Sequence, residues 1–282
     1  MKRRILLPTD FSDNSWSAIV YVLKLLADEE CIFYLLHSTA LKASTMSNFS
    51  NRLLKIMKDN AIKQLQEIKE QMKAADVNAN HEFKTILSTL HLYDAIKIEI
   101  KQNNIDLVVM GTKGRTGAQE IVFGSNTVKV IKKVKECPIL IVPDEYDYEI
   151  PKQITFPTDF KRIISENNLN VLKFIAELHN SKIRILHINE EEELSLNQKH
   201  NYKTLKNDLA NYRHSFHWLP DYSTKKFEIN EFIKDLGINI LVMVNYKRSL
   251  IEKITNEPVI KKIGFQPIIP FLVIPSQDDL KN

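Results

Sequence analysis

Two doubly wound parallel-sheet domains of the α/β class, set in tandem, are the fold that this sequence predicts. Three observations carry it. Apolar, strand-like runs alternate with stretches of helical period. The same strands recur in the same order in the two halves of the chain. A cluster of glycines follows directly on one of them, where such sheets open onto ligands.

The repeat sets the organisation. Arg4-Ile5-Leu6-Leu7-Pro8-Thr9-Asp10-Phe11 returns as Gln153-Ile154-Thr155-Phe156-Pro157-Thr158-Asp159-Phe160, and Phe33-Tyr34-Leu35-Leu36-His37 returns as Ile183-Arg184-Ile185-Leu186-His187. Ile105 to Met110 matches Ile238 to Met243, and Pro138 to Pro143 matches Pro270 to Pro275. Helix-length spacers separate these strands. Domains are therefore expected at 1–146 and 150–282, with the seam in the acidic, tyrosine-containing stretch 144–152.

In the first half, Ile5 to Pro8 is strand one, and Ser12 caps a helix whose inward stripe reads Trp16, Ile19, Val20, Leu23 and Leu26. Ile32 to His37 is strand two. The next helix carries Leu54, Met57, Ala61, Leu65, Ile68 and Met72 on one face, which is a core stripe. His81 to Ile86 is a weaker third strand, residues 92–102 a short helix, and Ile105 to Met110 a buried fourth strand. A helix with Val128, Ile131 and Val134 and a fifth strand close the domain. In the second half, Leu205, Leu209 and Tyr212 suggest an amphipathic helix beside the solvated acidic run Glu190 to Glu193.

Composition narrows the function classes. The 282 residues, 44% hydrophobic and 26% charged, suffice for two cores. The net charge of +4 comes from 39 basic residues interleaved with 35 acidic ones, so no nucleic-acid stripe is expected. The basic start Met1 to Arg4 precedes only three apolar residues, which makes neither a signal peptide nor a membrane anchor, so a cytoplasmic location without membrane partners is expected. Cys31 and Cys137 lack metal-ligand spacing and read as small core or strand-edge residues; no metal site is expected.

The chemistry concentrates after strand four. Gly111, Gly114, Gly117 and Gly124 are four of the 6 glycines in the chain, and the spacing reads G-x2-G-x9-G-S from Gly111 to Ser125. Glycines between a strand end and a helix start let backbone N–H groups approach a phosphate, aided by the helix dipole. The spacing fits neither the P-loop nor G-x-G-x-x-G. Asp10 lies just past strand one and Gly111 just past strand four. If those strands are neighbours at the switch point, a carboxylate for adenine or ribose faces a cradle for phosphates. Taken alone, Asp10 reads as a turn or capping residue. No nucleophile elbow, Cys-x-x-Cys pair or His-Glu-x-x-His helix is present, and no catalytic residue is assigned.

These residues resemble the universal stress protein family, as a two-domain member whose first half is similar to the ATP-binding subclass. The resemblance rests on Leu7-Pro8-Thr9-Asp10-Phe11-Ser12, Leu35-Leu36-His37, Val108-Val109-Met110-Gly111 and the Gly111-x2-Gly114-x9-Gly124-Ser125 motif. It implies Rossmann-like five-stranded sheets of order 3-2-1-4-5. It also implies nucleotide contacts at Pro8, Thr9 and Asp10, at Ser38 for the adenine edge, at Met110, Gly111 and Gly114, and at Gly124, Ser125, Asn126 and Thr127. Asn126 stands where many members have a small aliphatic residue, and Lys113 and Arg115 could add charge-assisted contacts. The implied role is a stress-linked regulator or sensor that binds ATP with Mg2+. A slow ATPase or nucleotide hydrolase, and a purely structural module, stay open as alternatives. The implied assembly is an internal pseudo-dimer through Ile139 to Val142 and Phe271 to Ile274, with further homodimerisation open.

The second half repeats the strands but not the cradle. After Met243 no glycine occurs until Gly264, and alignment places Glu257 and Pro258 in the first turn of the following helix, where one repels phosphate and the other lacks an N–H. One nucleotide per chain is therefore expected. His37 and His187, at equivalent strand ends in both halves, are expected to share a structural role.

Overall fold

Burial on both faces explains why the inner strands, such as those at Ile5–Leu7, Leu107–Met110, Ile139–Val142 and Ile240–Val244, read as continuous apolar runs rather than alternating ones. In the computed structural model, which describes residues 2–40, 51–112, 124–189, 193–219, 225–246 and 268–276, the chain divides into two units, Met1–Tyr148 and Glu149–Asn282. The first contains β1 (Arg3–Pro8), α1 (Asp13–Leu25), β2 (Cys31–Ser38), α2 (Asn51–Ala75), β3 (Glu82–Ser88), α3 (Leu92–Asn103), β4 (Leu107–Gly111), α4 (Ser125–Lys133) and β5 (Ile139–Val142). Its strands are parallel, in the order β3-β2-β1-β4-β5. The order reverses beside β1, so the carboxyl ends of β1 and β4 flank the switch-point crevice.

The second unit repeats this plan with β6 (Gln153–Pro157), α5 (Glu166–His179), β7 (Lys182–Ile188), α6 (Leu196–Asp208), β8 (His214–Leu219), α7 (Lys225–Asp235), β9 (Ile240–Asn245) and β10 (Phe271–Pro275). Its parallel order is β8-β7-β6-β9-β10. Each unit is thus a doubly wound α/β domain.

Local signals account for the element ends. Ser12, Ser165 and Ser195 each accept a hydrogen bond from the backbone N–H three residues on, and Gln198 completes a capping box with Ser195. Asn104 and Asn180 close α3 and α5 in the left-handed conformation, at φ 46° and 50°. Asparagine takes the position that glycine usually fills, which is one reason glycine is scarce outside the cluster. Equivalent residues pin strand one in both units. The Arg4 N–H donates to Asp106 Oδ2 at 2.8 Å, and the N–H groups of Lys152 and Gln153 both donate to Asn239 Oδ1 at 3.0 Å.

Two features differ from the sequence reading. The buried face of α1 is rotated: Ala18, Tyr21, Val22 and Leu25 are buried together with Ile19, Leu23 and the following Leu26, whereas Trp16 and Val20 are half-buried. The linker accounts for Tyr21, because the rings of Tyr146 and Tyr148 pack edge-on against it at 5.9 and 5.5 Å. Tyr212 lies past the end of α6, whose buried side is formed by Asn201 and Leu205, with Leu209 beyond.

Both cysteines are core residues, at 0% and 1% exposure. Burial pushes the Cys31 thiol up to about 12 and the Cys137 thiol higher still. At pH 8 a thiol reagent is expected to label neither in the folded chain, with labelling tracking global unfolding. Fast labelling of either thiol under native conditions would contradict this. Among the described residues, no helix is long and apolar enough to cross a membrane, and no group of three His, Cys, Asp or Glu side chains could hold a metal ion.

Candidate functional site

The turn after β1 is built by its own side chains. Thr9 Oγ1 accepts the Phe11 N–H at 3.0 Å, and Asp10 Oδ1 accepts both the Ser12 N–H at 3.2 Å and its hydroxyl at 2.5 Å. These bonds hold Phe11 at φ 66°, a conformation that a bulky residue rarely adopts. The Phe11 ring stacks on His37 at 4.3 Å, and His37 donates from Nδ1 to the Thr9 carbonyl at 2.8 Å. The second unit reproduces the device with Phe160 at φ 53°, Thr158 Oγ1, Asp159 Oδ1 and a His187 Nδ1 bond to the Thr158 carbonyl at 2.7 Å. The two histidines therefore share one structural task, as expected. Asp10 also does turn work through Oδ1, while it remains exposed past the end of β1.

At the neighbouring strand, Gly111 ends β4 against the first turn of α1. A Cβ there would lie 2.6 Å from the Asn14 carbonyl oxygen, so backbone as well as side chain would have to move. Gly111→Ala is expected to destabilise the first unit by about 1–3 kcal/mol through overpacking, measured by denaturant unfolding. A neutral result would show that α1 can yield. Beside this contact, Asn14 Nδ2 and Thr112 Oγ1 are buried without a hydrogen-bond partner among the described residues.

Gly124 is the N-cap of α4, with extended backbone (φ −61°, ψ 150°) and no side-chain cap. The first helical bond runs from the Val128 N–H to the Gly124 carbonyl, so the N–H groups of Ser125, Asn126 and Thr127 precede the intrahelical ladder. No acidic residue occupies this first turn, while Lys132 and Lys133 sit in the last, an arrangement that leaves the positive end of the dipole available to an anion. The Thr127 hydroxyl donates to the Gly111 carbonyl at 3.1 Å, tying the helix start to the end of β4. Its side chain is thereby committed, and what it offers a ligand is its N–H. Thr127→Val is expected to cost about 1 kcal/mol of stability from the lost bond, read by denaturant unfolding; no loss would mean that the tie is idle.

Toward β2, the Ser38 hydroxyl donates to the Leu90 carbonyl at 2.6 Å. Beside it opens a cleft of about 390 Å³ between Phe11, His37 and Ser38 on one side and Met57 and Ala61 of α2 on the other, with the exposed amides of Asn60 and Gln64 also lining it. Pro8, Thr9 and Met110 are buried at the ends of β1 and β4, and Ser125 and Asn126 are exposed. Gly114 and Arg115, with Lys113, lie outside the described residues.

The equivalent space in the second unit is filled with rings. Tyr202 of α6 lies 5.6 Å from Phe160, and Trp218 of β8 lies 5.9 Å from Phe160 and 5.2 Å from His187. Phe216 packs on Tyr202 at 4.7 Å. Asn201 Nδ2 and Gln198 Nε2 close over the turn, donating to the Phe160 and Asp159 carbonyls at 2.7 Å each. Past β9, the Arg162 guanidinium sits 4.7 Å above the Tyr246 ring. Sequence reasoning missed these residues. The alternating His214-Ser215-Phe216-His217-Trp218 was the available signal, since every second side chain faces α6. The stretch holding Glu257 and Pro258 lies outside the described residues.

Comparison with known proteins gives the following. A family model described as the universal stress protein family matches residues 1–143. A universal stress protein of Methanocaldococcus jannaschii, MJ0577, is 28% identical over 159 residues, covering 50% of this chain and 95% of that protein. A solved universal stress protein from Archaeoglobus fulgidus DSM 4304 superposes with a TM-score of 0.69 at 18% identity, covering 96% of this chain and 97% of that one. A functionally unknown protein from Pseudomonas aeruginosa PAO1 superposes with a TM-score of 0.61 at 15% identity, covering 98% of this chain and 94% of that one.

Proposed function

The chain belongs to the universal stress protein family, and from that premise we propose that its first unit binds one molecule of ATP in a regulatory or sensing role in the cytoplasm. One juxtaposition supports this reading above all. The uncapped start of α4, tied to the end of β4, and the cleft beside Ser38 lie past strands that flank β1 on either side. Strands two places apart are about 10 Å apart, a span that a nucleoside with its phosphates can bridge.

In this reading the cleft takes the adenine, with Phe11 and Met57 as apolar walls, and Asp10 meets the ribose across the crevice. The N–H groups of Ser125, Asn126 and Thr127 hold the phosphates, and Gly111, packed against Asn14 of α1 and tied to Thr127, sets the end of β4 beside them. The buried, unpartnered Thr112 hydroxyl fits a polar ligand, because a buried hydroxyl without a partner is costly. Mg2+ would arrive with the phosphates, which supply most of its protein-site ligation. Gly114 and Arg115 belong to the same proposal. The second unit, its cleft filled by Tyr202 and Trp218, acts as a packing partner without a nucleotide. We also propose that the two halves cover each other's last strand; hydrogen exchange finding β5 or β10 unprotected along its length would contradict that.

The test is thermal unfolding with and without Mg-ATP. A ligand that binds only the native state adds about 2.7 kcal/mol of apparent stability at a hundredfold excess over Kd, so the melting temperature should rise. No rise at millimolar Mg-ATP would contradict nucleotide binding. Phosphate release over hours, if it followed the bound fraction, would favour the slow hydrolase over the sensor.

A further inference from the structure

The second unit gathers cations on the sheet face opposite its aromatic cluster. Parallel register sets Lys182 beside Gln153, and Arg184 between Thr155 and Ser215, with His217 one pleat along on β8. His217 Nε2 accepts from the Ser215 hydroxyl at 2.8 Å and from Arg184 Nη1 at 3.3 Å, while Arg184 Nε donates to Gln153 Oε1 at 2.8 Å. The Phe232 ring of α7 stands 5.0 Å from His217. All four of Lys182, Arg184, Ser215 and His217 are half-buried. Burial, and then the charges of Arg184 and Lys182, lower the His217 pKa below its ordinary value.

Among the described residues no carboxylate pairs with Lys182 or Arg184. The repeat gives the comparison. Lys182, Arg184, Ser215 and His217 stand where the first unit has Ile32, Tyr34, Lys84 and Ile86. There the cations are matched, since Lys84 lies 5.3 Å over the Tyr34 ring and Lys2 bridges Glu82 at 2.5 Å. In the second unit the same face has become a surplus of donors with no acid among them. Charges on an edge strand deter strand addition, but Lys182 and Arg184 are on β7, which is an interior strand.

We propose that Lys182, Arg184, Ser215 and His217 form a binding site for a tetrahedral oxyanion of the phosphate or phosphate-monoester class. Arg184, Ser215 and His217 occupy one cross-strand pair and its diagonal neighbour, on the order of 8 Å, which suits a single small anion, and Lys182, two residues back on β7 and roughly 14 Å from His217 along the backbone, reaches toward it through its long side chain. Arg184 keeps Nη2 directed donors for it, Lys182 adds a mobile ammonium, and His217 supplies Nδ1–H while its Nε2 is held as an acceptor.

The ring signals of His217 report binding locally, independent of the nucleotide site. With inorganic phosphate added at constant pH and ionic strength, they should shift saturably. The double variant Lys182→Gln with Arg184→Gln should weaken the response about tenfold or more, with the His187 ring signals unchanged as a check on the fold. Lys182→Gln alone, which leaves Arg184 and its hydrogen bonds in place, should weaken it by a smaller factor even if the double variant misfolds. A shift reproduced by chloride, one matched by acetate at equal concentration, or one untouched by Lys182→Gln would overturn the assignment.

Discussion

Gly124→Asp is expected to remove ATP binding, by at least about a hundredfold in Kd, while leaving the fold intact. Both halves of that expectation come from the N-cap. The backbone of Gly124 is extended, so an L side chain is accommodated without strain, and aspartate is among the better N-cap residues. Its carboxylate would accept from the first-turn N–H groups that are proposed to hold phosphate, and would set a negative charge where the ligand is most negative. One substitution thus improves the helix start and spoils the anion site. Calorimetry with Mg-ATP measures the first effect and denaturant unfolding the second. Retained binding at wild-type strength would remove α4 from the site.

The second large effect is an asymmetry between two equivalent phenylalanines. Phe160 is 1% exposed, sits among Tyr202, Phe216 and Trp218, and is expected to cost about 3–5 kcal/mol when replaced by alanine. Phe11 occupies the same turn with the same positive φ, but it lines an open cleft and is half-buried. Phe11→Ala should therefore lose less stability and more ATP affinity. Equal stability losses in the two variants, by denaturant unfolding, would mean that the cleft and the filled space are not different environments.

How much of this was legible in the sequence depends on what each residue contacts. The repeated strands, the Ser12 cap and the start of α4 were readable, because apolar runs, N-cap chemistry and glycine spacing act locally. The stripe on α2 was readable for the same reason: Ala61, Leu65 and Met72 are buried. The face of α1 was not, since Tyr21 is covered by tyrosines more than a hundred residues away in sequence. The dual nature of Asp10 was readable only as two alternatives. Its turn bonds are local, whereas a ligand contact depends on β4 lying beside β1. The ring-filled space of the second unit escaped because it needs β8, α6 and the β6 turn together, and no spacing along the chain announces such a meeting.

The central claim, a single nucleotide site held in the first unit, is tested most directly by the number of ATP molecules bound per chain. Native mass spectrometry or calorimetry with Mg-ATP on the full-length chain should give a stoichiometry of about one. A value of two would show that the second unit binds despite Tyr202 and Trp218. A value of zero at millimolar ligand would contradict the site itself.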